Sequence, residues 1–154
     1  MATEHWSALG ALTVGIGGDA TAPTLKGLTG TDGKVLGNAI DNGDAAARNI
    51  FAMWVLYVRF AGAPGDGKAV ELYFVKSADG TNFDDGDATT LPASTSFVCA
   101  FPVRNVGTQQ RLVVDKIALP PGKFKPLIRN NTSAALTATD NENVLSFATY
   151  DRTI

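Results

Sequence analysis

Within nine residues, Asp79-Gly80-Thr81-Asn82-Phe83-Asp84-Asp85-Gly86-Asp87, the chain places four carboxylates and one side-chain amide. Calcium takes about six to eight oxygen ligands from a flexible loop, so Asp79, Asp84, Asp85 and Asp87 are the candidate metal ligands and calcium the candidate ion. The spacing is not that of an EF-hand, and the closing bidentate Glu is missing. Asp-Gly and Asp-Asp-Gly are also ordinary turn chemistry, and a turn is the leading expectation here with the calcium site in competition.

Little else in the chain is equipped for reaction chemistry. His5 is the single histidine, and neither Ser7 nor Ser94 lies in a nucleophile elbow. Gly15-Ile16-Gly17-Gly18 lacks the Lys-Ser/Thr that completes a phosphate-binding loop. Cys99 is the one cysteine, so it has no intrachain disulfide partner, and its apolar setting from Ser96 to Phe101 reads as a buried, inert thiol. Two aspartates converging as a glycosidase pair have no support in the spacing. The expectation is a protein that is not an enzyme.

The elements that would position these residues read as strands. Residues 50–61 (IFAMWVLYVRFA) are apolar on both alternating faces, with Phe51, Met53, Val55 and Tyr57 on one and Trp54, Leu56, Val58 and Phe60 on the other. Such a strand is central, and its surplus apolar face needs a cover, either an N-terminal arm or another subunit. Further strands are expected over 69–75, 95–101, 111–119, 123–129 and 143–150, with short pieces over 6–14 and 35–40 and one helical turn at 45–48. Residues 111–131 read as a β-hairpin turning at Pro120-Pro121-Gly122. Residues 1–34, rich in Gly and Thr without periodicity, read as an N-terminal arm, and 35–154 as the domain. Short, regular spacing with turn residues at the junctions predicts an all-β, jelly-roll-like sandwich of about eight strands.

Composition agrees. The chain has 154 residues, enough for one domain with a substantial core. Charged residues make up 18%, below the usual ~25%, and there are 16 Gly and 7 Pro. A net charge of −2 argues against nucleic acid as a partner, since phosphate neutralisation needs a basic excess. The longest apolar run is too short to span a bilayer and no membrane partner is expected. No signal peptide is visible at the start, so synthesis is expected in the cytoplasm.

Charge is distributed unevenly. No Lys or Arg occurs from Ser77 to Val103, whereas 104–129 holds Arg104, Arg111, Lys116, Lys123, Lys125 and Arg129 against the single Asp115. One reading sets a basic edge on one subunit against an acidic loop on its neighbour, and the other leaves both as faces of one domain. The candidate interface residues are Trp6, Phe83, Arg104, Arg111, Lys123 and Lys125. Among the aromatics that a sugar might stack on, Trp6, Trp54, Tyr57, Tyr73 and Tyr150 lie in apolar alternation. Phe83 alone sits in the acidic loop, where an anchor is favoured over a ligand contact.

Three segments carry a resemblance: Leu36-Gly37-Asn38-Ala39-Ile40-Asp41-Asn42, Ser77-Ala78-Asp79-Gly80-Thr81-Asn82-Phe83, and Leu119-Pro120-Pro121-Gly122-Lys123-Phe124-Lys125 leading to Asn130-Asn131-Thr132. Together, over roughly residues 35–150, this set resembles small virion structural proteins of tailed bacteriophages. The resemblance implies a place on the virion, foremost as a capsid decoration or cement protein bound to the major capsid protein or other virion proteins, and otherwise as a tail or fibre component. Self-association into a small homo-oligomer, with a trimer as the guess, goes with that reading. A carbohydrate-binding module is the alternative from another class.

Overall fold

A computed structural model of the chain describes residues 5–44 and 48–153. The strands are β1 (His5–Trp6), β2 (Thr13–Ile16), β3 (Gly33–Leu36), β4 (Ile40–Asn42), β5 (Phe51–Val58), β6 (Ala69–Ser77), β7 (Phe97–Pro102), β8 (Gln110–Ala118), β9 (Gly122–Asn131), β10 (Val144–Tyr150) and β11 (Arg152–Thr153). Among the described residues the helical content is one 3₁₀ turn, Ser94–Ser96. The helical turn expected at 45–48 falls largely outside the described residues.

Two antiparallel sheets form a sandwich. The first runs β2-β10-β5-β8, and the second β3-β9-β6-β7, with β4 pairing β9 beyond the end of β3. If β3 and β4 count as one interrupted strand, successive strands alternate between sheets except for the β6–β7 pair, which is the order of an eight-stranded jelly roll. The interruption has a cause in the sequence. Gly37 donates its N–H to the Pro126 carbonyl at 2.7 Å, so that side of β9 faces the gap, and Pro126 has no N–H to return. A Cβ on Gly37 would stand 2.8 Å from Pro126 Cγ, which fixes glycine at this crossing.

The inner faces supply the core. Trp54 and Phe147 from the first sheet meet Phe74 and Phe124 from the second, with centroids 4.8 Å apart for Trp54–Phe147, 5.5 Å for Trp54–Phe74 and 4.7 Å for Phe74–Phe124. These tilted contacts fill the space between sheets in the geometry that aromatic quadrupoles favour.

Two expectations are corrected. Residues 111–131 are not a hairpin: β8 pairs β5 in the first sheet, and β9 pairs β6, β3 and β4 in the second. Tight hairpin turns need positive φ at their central residues, and Pro120-Pro121 cannot supply it. The diproline carries the chain from one sheet to the other instead. The segment 1–34 is also not a free arm. β2 is a strand of the first sheet on β10, Ile16 and Leu25 are fully buried, and β1 pairs β11. The domain boundary expected at residue 34 therefore cuts through the core.

Candidate functional site

The acidic loop connects β6 to β7 and is built from self-contained turns. The Asp79 carboxylate accepts from the backbone N–H of Asn82 (2.7 Å) and Thr81 (2.8 Å), from the Asn82 amide (2.7 Å) and from Ser77 Oγ (3.1 Å). These donors, the Asn82 and Thr81 backbone first, hold its pKa well below the ordinary carboxylate range. Asp87 accepts from the Thr89 hydroxyl and from the N–H groups of Thr90 and Thr89, each at 2.7 Å, and its pKa falls to about 2. Among the described residues, no three His, Cys, Asp or Glu side chains gather as a metal site. Asp79, Asp84, Asp85 and Asp87 are not gathered into a calcium loop: Asp79 closes one turn with both carboxylate oxygens and Asp87 a separate one through Oδ1.

Phe83 folds back on the outer face of the second sheet, packed on the cluster of Tyr73, Val75 and Leu127. The Lys125 ammonium sits 4.2 Å above its ring, a cation–π contact. The acidic loop thus lies on its own basic strand, with the Lys123 side chain beside Gly80. Farther along this face a polar network is closed internally. Arg129 binds Asp32 (2.7 Å) and Glu71 (3.1 Å), Tyr73 donates to Glu71 (2.8 Å), and Lys34 binds Asp32 (2.7 Å).

The candidate interface residues do not converge. Lys123, Lys125 and Phe83 belong to the second sheet's outer face. Arg111 lies on the first sheet, with Nε 3.0 Å from Tyr57 Oη and its guanidinium over the Tyr57 ring. Arg104 is in the β7–β8 loop, where the Gln110 side chain accepts from its N–H (2.8 Å) and donates to its carbonyl (2.9 Å). Trp6 lies on β1, and its side chain lies outside the described residues. Cys99 is half-buried, and burial pushes its thiol up to about 12, so it is not a thiolate near neutrality.

Two features remain that reach outward. The first is the solvent side of the β2-β10-β5-β8 sheet. Val14, Ser146, Val55 and Val113 stand opposite one another across all four strands, forming one rung that is apolar but for Ser146. Its centre is shielded, whereas Val14 is 60% and Val113 42% exposed. Tyr57 and Met53 flank the rung on β5, and the exposed Leu9 and Leu12 continue the apolar surface toward β1. This is the surplus face expected from the sequence of β5. The N-terminal segment borders it at one end, where Ser7, Leu9, Met53, Asp115, Lys116 and Tyr150 rim a hollow of about 220 Å³.

The second feature is a cleft of about 450 Å³ where the edge strands β7 and β8 part, one from each sheet. Its walls are Phe74 and Lys76 of β6, Ser96 to Val98, Lys116 to Ala118 of β8, and Leu119-Pro120-Pro121. Sequence reasoning passed over this cleft, because β8 and β9 read as a hairpin have no opening beside them.

Comparisons with protein families, curated proteins and solved structures find no match to this chain.

Proposed function

We propose that the protein is a non-enzymatic virion structural component that docks through the outer face of the β2-β10-β5-β8 sheet, most concretely as a capsid decoration or cement protein. The observation that carries this reading is the apolar rung from Val14 to Val113. Val14 and Val113 stand exposed at the two edges of this face, with Leu9 and Leu12 exposed beyond β2, and such apolar side chains gain roughly 25 cal/mol per Å² when a partner covers them. The phage resemblance in residues 35–150 supplies the kind of lattice. The internally closed charges of the second sheet support the assignment of docking to the first.

The test is light scattering on the isolated protein, followed by sedimentation with undecorated capsids from the same source. The protein is expected to pellet with capsids, and a Val14→Asp/Val113→Asp variant to lose pelleting at least tenfold while keeping its thermal midpoint, since both side chains are exposed. Pelleting with tails but not capsids would move the protein to the tail. A variant that pellets as well as the parent, or a parent that pellets with neither, would overturn the docking face.

A further inference from the structure

The β7–β8 cleft is a second, separate feature with the makings of a ligand site. Its lining combines the aromatic and aliphatic residues Phe74, Val98, Ile117 and Leu119 with Lys76 and Lys116, and no acidic residue contributes. At about 450 Å³ it falls in the range of small-molecule sites, which pair apolar walls with a few placed polar groups. Neither lysine has an ion-pair partner among the described residues.

Both walls are shaped by β-bulges. On β7, Cys99 pairs Leu72 and Phe97 pairs Tyr73, which leaves Val98 as the extra residue. On β8, Ile117 pairs Ala52 and Val114 pairs Trp54, so that Asp115 and Lys116 together oppose Met53. The second bulge holds Lys116 at φ +56°, a left-handed conformation that side chains other than Asn and Asp rarely take. Bulges re-aim side chains at strand edges beside functional sites, and strained backbone concentrates there. Lys76 arrives by another route. It continues the inward-facing row Val70, Leu72, Phe74 of β6 past the end of the core, so its amine stands at the open end of the sandwich. Two strands from different sheets thereby bring two unpaired cations to one apolar cleft.

We propose that this cleft binds an aliphatic carboxylate, with the alkyl chain against Phe74, Val98, Ile117 and Leu119 and the carboxylate between Lys76 and Lys116. Charge complementarity selects the anion, and the length of apolar wall selects a chain over a small ion. Lys116 also borders the hollow beside Met53 and Tyr150, but the ligand proposal does not rest on the docking reading.

The experiment titrates the full chain with decanoate, octanoate and decanol below micelle formation, read by calorimetry and by amide NMR shifts. Decanoate is expected to bind saturably with shifts confined to residues 74–76, 96–98 and 116–121. Octanoate, two methylenes shorter, should bind about fifteenfold more weakly, from roughly 0.8 kcal/mol per methylene. Decanol should bind at least tenfold more weakly than decanoate. A Lys76→Met/Lys116→Gly variant should lose the preference for decanoate over decanol. Equal affinity for decanoate and decanol on the unaltered chain, shifts located elsewhere, or no saturable binding would each overturn the proposal, and none of these depends on the variant folding.

Discussion

Leu25→Ala tests whether the first 34 residues belong to the core. Leu25 is fully buried among the residues between the two sheets, and its N–H donates to the Gly17 carbonyl at 2.9 Å. Truncation to alanine removes the transfer energy of the lost carbons and leaves a cavity that packed neighbours fill only in part. Together these cost about 2–5 kcal/mol. A domain of this kind holds in total only ~5–15 kcal/mol, so the loss is a large share of it. At ~2–4 °C per kcal/mol for a chain of this size, a loss near 3 kcal/mol lowers the thermal midpoint by about 6–12 °C. Leu12→Ala is the internal control. Leu12 is 54% exposed, and its truncation should stay within about 0.5 kcal/mol. Urea unfolding followed by tryptophan fluorescence, with calorimetry beside it, reads both variants. If Leu25→Ala costs less than about 1 kcal/mol, or no more than Leu12→Ala, the segment behaves as a detachable arm and the placement of Leu25 in the core is refuted.

Two further perturbations bear on the β8 bulge and on the acidic loop. Lys116→Gly should raise stability by about 0.5–1 kcal/mol, because relief of a left-handed non-glycine backbone outweighs the added chain entropy of glycine. Lys116→Ala keeps the strain, so a glycine variant no more stable than the alanine variant would count against it. Asp87 has a folded pKa of about 2 against an ordinary 3.8, so its contribution is present above about pH 4 and is lost as pH falls toward 2. The thermal midpoint should fall through that window, and Asp87→Ala should flatten part of the fall; an unchanged slope would show that the turn does not hold the carboxylate in solution.

What the sequence made legible follows from where each element derives its stability. β5, β6, β9 and β10 were readable because each is a run of core side chains, such as Phe51 to Val58, whose apolar pattern outweighs everything around it. The break between β3 and β4 was not, since it comes from Pro126 on a strand some ninety residues away. β2 was missed as a sandwich strand for a similar reason. Thr13-Val14-Gly15-Ile16 holds one fully buried side chain, Ile16, and its place is set by pairing with β10. The diproline after β8 showed that the chain turns, but its fixed negative φ is unsuited to a tight hairpin, and sheet assignment depended on that distinction. In the acidic loop, the Asx-type turns of Asp79 and Asp87 were visible as composition. The bulge that aims Lys116 was not, since no Gly, Asn or Asp stands at the left-handed position to announce it.

The strand order of the first sheet also fixes a sequence of events during synthesis. β10 lies between β2 and β5, so β2 lacks its sheet neighbour, and β5 one of its two, until residues 144–150 have been made. Roughly 85 residues separate Val58 from Val144, which at about 5–20 residues per second is some 4–17 s of elongation. For that interval β5, apolar on both faces, is complete but keeps its β10 edge open, even after β8 can pair its other edge. Such a strand pairs readily with copies of itself, and contacts of this sequence separation form slowly in any case. The yield of folded protein should therefore depend on how fast the chain is translated between β5 and β10, and on whether a chaperone holds the nascent strand meanwhile.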